Sequence, residues 1–145
     1  MKNNFFIVDK NFDFIITLRK FLYENNNDGS VLFFFGKVRS CNLKKKVICI
    51  NYDVYDFLSL KSINVILNDI FIKYNNVIKI VVYHKIGVVK SGDVGILIMV
   101  KSFQREESFI TCKYLIEEIK RKSSIWKKEY YSDGTASWLK GHPLI

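Results

Sequence analysis

The sequence predicts an α+β fold, and three observations carry the prediction. Segments of helical periodicity are separated by β-branched and aromatic runs. Their order is helix, strand, strand, helix, strand, strand, helix, strand, which is no strict βαβα alternation. No internal repeat interrupts that order. With 145 residues, 49% of them hydrophobic and 15% aromatic, the chain can build one sizeable core, so a single domain over residues 1–145 is expected.

Taken in order, Asp9 is placed to cap a first helix whose apolar stripe is Phe12, Ile15, Ile16, Leu18 and Leu22. The run Asn25-Asn26-Asn27-Asp28-Gly29 ends it in a turn. Ser30 to Arg39 opens with VLFFF, short enough for a buried strand, and the basic stretch Lys37 to Lys46 reads as exposed, with Lys44-Lys45-Lys46 a solvated loop. From Val47 to Tyr55, Ile48, Ile50, Tyr52 and Val54 alternate against Cys49, Asn51, Asp53 and Tyr55, the period of a strand with one core face. Leu58 to Tyr74 returns to helical spacing through Leu60, Ile63, Leu67, Ile70 and Phe71. Val77 to Ile86 and Val94 to Lys101 are β-branched strands joined through Gly87 and Ser91-Gly92-Asp93. A third helix runs from about Arg105 to Lys122, a last strand from Ile125 to Tyr131, and the residues around Pro143 form a tail.

Composition excludes several classes. The net charge of +9 would attract nucleic acid, but the chain is rich in Lys, Asn, Ile, Phe and Tyr with Ala136 its one alanine, the mark of A/T-rich coding rather than selection for charge. Cys41, Cys49 and Cys112 are odd in number and lack CxxC spacing, so neither a disulfide framework nor a zinc site is indicated and a reducing compartment is expected. No run approaches the roughly 18 apolar residues of a membrane span, and no leader pattern opens the chain, which reads as a cytoplasmic protein.

The chemistry concentrates around IWKKE. Lys120 ends the third helix and Lys127 follows seven residues later in extended sequence, so two ammonium groups can converge from two elements on one anion. At about 100° per residue Phe109, Cys112, Leu115, Ile116 and Ile119 share a face, with Arg105 at its N-terminal end. Lys120 lies at the edge of that stripe, where it would also complement the helix dipole. In a strand from Ile125 to Tyr131, Lys127 and Glu129 face one way while Trp126 and Lys128 face the other, Trp126 serving as anchor. Gly36 allows close backbone approach to a ligand beside Lys37 and Arg39. Arg39, Arg105, Lys120 and Lys127, with Glu129 and no His-Cys-Asp cluster, suit a small phosphate-bearing substrate. No Ser-His-Asp set or glycine-rich phosphate loop is present, and His84 reads as a structural histidine beside Gly87.

The ordered motifs FFFGKVRS, HKIGVVKSGD, VKSFQREESF and KRKSSIWKKE, with DG after the last, resemble the large catalytic subunit of molybdopterin synthase, the MoaE family, from about Val31 to Trp138. The resemblance implies an α/β hammerhead-type fold. It implies a homodimer within a heterotetramer, each end carrying a small ubiquitin-like sulfur-carrier subunit whose C-terminal Gly-Gly thiocarboxylate enters the pocket. It implies conversion of cyclic pyranopterin monophosphate (precursor Z) to molybdopterin by two sulfur transfers, with no cofactor in this step. Carried over by position, the substrate-binding residues are Lys37, Val38, Arg39, Gln104, Arg105, Lys120, Lys127, Lys128 and Glu129, and the catalytic ones Lys120 and Lys127. Arginines would clamp the cyclic phosphate, and a lysine beside other cations has a destabilised charged form and exchanges protons readily, a role that falls first to Lys120. Lys127 would position the thiocarboxylate or stabilise developing charge, and Glu129 would orient a lysine.

Two departures stand out: Gln104 occupies the place of a family histidine, and Ser124 that of a proline before Ile125-Trp126. Glutamine hydrogen-bonds but does not titrate near neutrality, so binding survives where proton transfer would not. Loss of the proline frees the unfolded chain by about 0.4–1 kcal/mol. The rival readings are a drifted subunit that dimerises, holds its carrier and turns over poorly, and a basic RNA-binding module built on Lys44 to Lys46, Tyr130 and Tyr131. The second would need charge spread along a face and a steep salt dependence.

Overall fold

The computed structural model describes residues 3–24, 27–54, 58–122 and 125–139. The expected Asn25-Asn26 turn, Tyr55, Ser124 and the tail at Pro143 lie outside those residues, as does the side chain of Leu60. Elements follow in the order β1 (Asn3–Val8), α1 (Phe14–Tyr23), β2 (Ser30–Lys37), β3 (Cys41–Asn42), β4 (Lys45–Val54) and α2 (Leu58–Lys73). Then come β5 (Val77–Lys85), β6 (Gly87–Lys90), β7 (Val94–Ser102), α3 (Arg105–Lys122), β8 (Ile125–Tyr131) and β9 (Ala136–Trp138). The α+β expectation holds.

Two sheets organise the chain. The first has the order β1-β5-β7-β2, parallel between β1 and β5 and antiparallel elsewhere. Strand alternation splits its side chains cleanly. Ile80, Val82, Ile98 and Val100 pack with Ile63, Ile66, Leu67 and Ile70 of α2 and Cys112, Leu115 and Ile119 of α3. Val81, Leu97 and Met99 face the other way, onto Phe14 and Phe21 of α1. The second sheet has the order β3-β4-β8-β9, with β6 also on β4. Its core is Val38, Val47, Ile50, Tyr52, Val89, Ile125 and Tyr131.

Several expectations are corrected. The strand β1 was not anticipated, and α1 is capped not by Asp9 but by Asp13, whose Oδ1 accepts from the Ile15 amide at 2.9 Å. The later start rotates the stripe: Phe14, Leu18 and Phe21 pack inward, whereas Ile15 and Ile16 are 69% and 71% exposed. In β4 a bulge between Val47 and Cys49 inserts one residue, so Val47 is buried and Ile48 turns outward while Ile50 and Tyr52 keep the core face. The segment at Gly87 forms a strand of its own, β6, which leaves the first sheet to pair with β4. On α3 the buried face is Ser108, Thr111, Cys112, Leu115, Glu118 and Ile119, and Phe109 and Arg105 lie outside it. No helix among the described residues is long and apolar enough to cross a membrane.

Candidate active site

The bulge between Gly36 and Lys37 ends the β2 ladder and turns the chain toward the second sheet. Val38 is buried there and pinned at both ends: its N–H donates to the Asp93 carbonyl at 3.0 Å, and its own carbonyl accepts from the Gly92 N–H at 2.8 Å. Lys37, Val38, Arg39, Ser40, Cys41 and Gly92 line a concavity of about 380 Å³. Gly36 itself serves packing rather than ligand approach, because a Cβ there would collide with Ile96 on the neighbouring strand. A separate concavity of about 250 Å³, at Lys10, Asn11, Lys85, Lys90 and Asp93, contains none of the predicted residues.

The other half of the site is built on β8. Its register against β4 sets Lys127 opposite Tyr52, Lys128 opposite Asn51 and Glu129 opposite Ile50. Alternation then puts Lys127 and Glu129 on the packed face, as the sequence predicts. Glu129 is 3% exposed and its Oε1 accepts from Asn42 Nδ2 at 2.9 Å. The Lys127 ammonium stands 5.7 Å from the centre of the Tyr52 ring. Lys128 lies on the opposite face, its ammonium 5.5 Å from both the Tyr130 and Trp138 rings. Trp126 is no buried anchor: it is 41% exposed and meets Trp138 edge-on.

Electrostatics single out the same corner. Burial, followed by the positive charge of Lys120, lowers the Lys127 pKa below the ordinary lysine range. That coupling is the link between Lys127 and Lys120. Of the two, Lys120 is exposed at the end of α3 and Lys127 is partly buried. Burial, assisted by the Glu129 charge, pushes the Tyr52 phenol up to about 12. His84, 4% exposed, is held down at about 4, chiefly by burial and further by Lys127, against a raising contribution from its backbone hydrogen bond. Burial raises the Cys112 thiol to about 11, leaving it unreactive near neutrality.

One predicted grouping does not form within a single chain. Gln104 and Arg105 are exposed at the start of α3, and Lys120 lies fifteen residues further along the same helix. At about 1.5 Å per residue that is a separation of roughly 22 Å, too far for one small substrate.

The family model described as MoaE protein matches residues 7–122. The chain belongs to the MoaE family. The molybdopterin synthase catalytic subunit of Pyrococcus abyssi is 30% identical over 97% of this chain and 93% of its own. The crystal structure of molybdopterin synthase from Staphylococcus aureus superposes with a TM-score of 0.81 at 28% identity, covering 92% of this chain and 94% of that one. A complex of subunits 1 and 2 of the molybdopterin-converting factor from Helicobacter pylori shares the fold at a TM-score of 0.75 and 21% identity, over 97% and 94% of the two chains.

Membership of the MoaE family makes the function that of a molybdopterin synthase catalytic subunit, an enzyme of sulfur transfer in molybdenum cofactor biosynthesis. Within this MoaE fold, two residues at the corner escaped sequence reasoning. Tyr52 sits in an alternating run where an aromatic reads as core, and His84 was assigned to the turn at Gly87. The available signal is the HKIG motif, which carries the resemblance and holds His84.

Proposed function

We propose that this chain, as one catalytic domain, converts cyclic pyranopterin monophosphate to molybdopterin in the cytoplasm. The sulfur comes from the thiocarboxylated Gly-Gly terminus of a small ubiquitin-like carrier. Each of two transfers makes one carbon–sulfur bond on the pterin side chain and leaves the carrier with a carboxylate, the oxygen coming from water. The observation that carries this reading is Lys127: partly buried, beside Lys120, with a lowered pKa and its ammonium over an aromatic ring. Such a lysine stabilises developing negative charge and gives up its proton more readily than an ordinary lysine.

Arg39 and Lys37 bind the cyclic phosphate from the adjoining concavity, around the fixed backbone of Val38. Lys120 adds positive charge at the pocket mouth and Glu129 stiffens β8 through Asn42. Lys128 supports the strand from its far face through Tyr130 and Trp138. The roughly 22 Å along α3 is resolved by a homodimer in which Gln104 and Arg105 of one protomer complete the site of the other, within a heterotetramer carrying two carriers. A heterologous complex of the two converting-factor subunits in a protein of the same fold supports a small-subunit partner.

The test is turnover of cyclic pyranopterin monophosphate by the purified chain with thiocarboxylated carrier, comparing wild type with Lys120→Ala and Lys127→Ala. Product from wild type and a loss of on the order of a hundredfold or more in each variant are expected. A folded wild type that neither binds carrier nor makes product overturns the proposal. Gln104 favours one variation, a slow enzyme that binds normally, since glutamine keeps a hydrogen bond and loses the titrating proton.

A further inference from the structure

Three strands converge beneath Lys127. Tyr52 of β4 is its direct cross-strand partner, and the ammonium stands 5.7 Å above that ring. The Tyr52 ring also meets His84 of β5 edge-on, with centres 5.0 Å apart and planes at 78°. At the phenol end β7 supplies Gly95, where a Cβ would come within 3.1 Å of the Tyr52 Oη, so the absent side chain makes the room the phenol occupies. His84 is fixed in turn: its Nδ1 lies 2.7 Å from the Lys85 carbonyl, and since a carbonyl only accepts, Nδ1 carries the hydrogen. Both rings are buried, yet neither reaches substrate in the sulfur-transfer reading.

We propose that Tyr52 and His84 are positioning residues for the transfer reaction: the Tyr52 ring seats the Lys127 ammonium, and His84 holds that ring in place through their edge-on contact. The inference rests on the assignment of Lys127 to the transfer site. A lysine tip has four rotatable bonds, and a catalytic group displaced by about 1 Å loses on the order of a hundredfold in rate. An aromatic face fixes such a tip without forming an ion pair that would quench it. The titratable groups around the tip are Lys120 from α3 and Tyr52 from β4, with Glu129 of β8 acting on the Tyr52 phenol and His84 of β5 acted on by Lys127, while the Lys85 ammonium lies over the Phe14 ring. An uncharged His84 suits this place, because an imidazolium would add a third cation beneath two lysines. Burial and Lys127 hold its pKa at about 4.

The experiment uses the chain with its thiocarboxylated carrier and compares Tyr52→Phe, Tyr52→Leu, His84→Asn and Lys127→Ala. Phenylalanine keeps the ring, so Tyr52→Phe retains kcat within about threefold, whereas Tyr52→Leu loses about ten- to a hundredfold in kcat with KM changed less than about threefold. Asparagine keeps the donor to the Lys85 carbonyl but not the ring edge, so His84→Asn loses kcat by about tenfold at unchanged carrier affinity. A second readout needs no variant to fold: in wild type the Lys127 ε-methylene protons are shifted upfield by the Tyr52 ring current. Ordinary lysine shifts there, or full kcat in Tyr52→Leu while Lys127→Ala is inactive, overturn the positioning role and leave the transfer site standing. Full activity of Lys127→Ala overturns both.

Discussion

Lowering the pH should destabilise this protein through one histidine, by an amount the structure sets. An ordinary histidine titrates near 6.5, and in the folded chain His84 is held at about 4, first by burial and then by Lys127. Between those values the unfolded chain binds a proton at this position that the folded chain refuses, so stability is full above about pH 6.5 and falls as the pH drops toward 4. At about 1.36 kcal/mol per pH unit the loss is about 3 kcal/mol, a large part of the roughly 5–15 kcal/mol that holds a typical domain together. The assay is urea denaturation of wild type and His84→Asn at pH 7, 6, 5 and 4.5. Carboxylates such as Glu118, whose pKa its Lys122 and Arg121 hydrogen bonds bring below the ordinary range despite burial, titrate in both proteins and cancel in the comparison. The wild type should lose about 2–3 kcal/mol more than the variant across that range. Parallel pH dependences would refute the reasoning, because they would mean that His84 accepts its proton in the folded state.

Further outcomes follow from single contacts. Lys101 is 1% exposed, makes no hydrogen bond through Nζ to any of the described residues, and relies on Glu24 at 3.9 Å and the Phe21 ring at 4.8 Å; Glu24→Gln should therefore cost about 1–3 kcal/mol in urea denaturation, while Lys101→Met is near neutral. Gln104→His should raise kcat several-fold and give it a pH dependence near neutrality, and an unchanged rate would remove the proton-transfer explanation for this departure. Arg105→Ala and Lys120→Ala, each inactive alone, should recover about a quarter of wild-type activity after subunit exchange, since half the dimers are mixed and each carries one intact site. No recovery would mean that Arg105 does not complete the site of the other protomer.

The sequence spoke most clearly where one periodicity dominated. The span of α3 and the alternation of Ile125 to Tyr131 both came through. It misled where a local irregularity shifts phase. Asp9 and Asp13 both offer a cap, and the four-residue difference decided which face of α1 is buried. The β4 bulge reverses Ile48 relative to Ile50, which no alternation count detects. Tyr52 and His84 were invisible as site residues because an aromatic and a histidine inside strand patterns look like core, and they are core. Their second role depends on a cross-strand register with Lys127, 75 positions from Tyr52 in sequence. The distance between Arg105 and Lys120 was legible in principle, since fifteen helical residues fix it.

The central claim is that sulfur passes from a carrier's thiocarboxylate to a pterin at the Lys120–Lys127 corner, and the most direct measurement follows that sulfur. Carrier bearing a heavy-isotope thiocarboxylate is mixed with the chain and cyclic pyranopterin monophosphate, and the pterin product is weighed by mass spectrometry. The account predicts a product holding two labelled sulfurs, one for each carrier returned as carboxylate, with almost none formed by Lys127→Ala. An unlabelled pterin from wild type that folds and binds the carrier, or full labelling by Lys127→Ala, would contradict it.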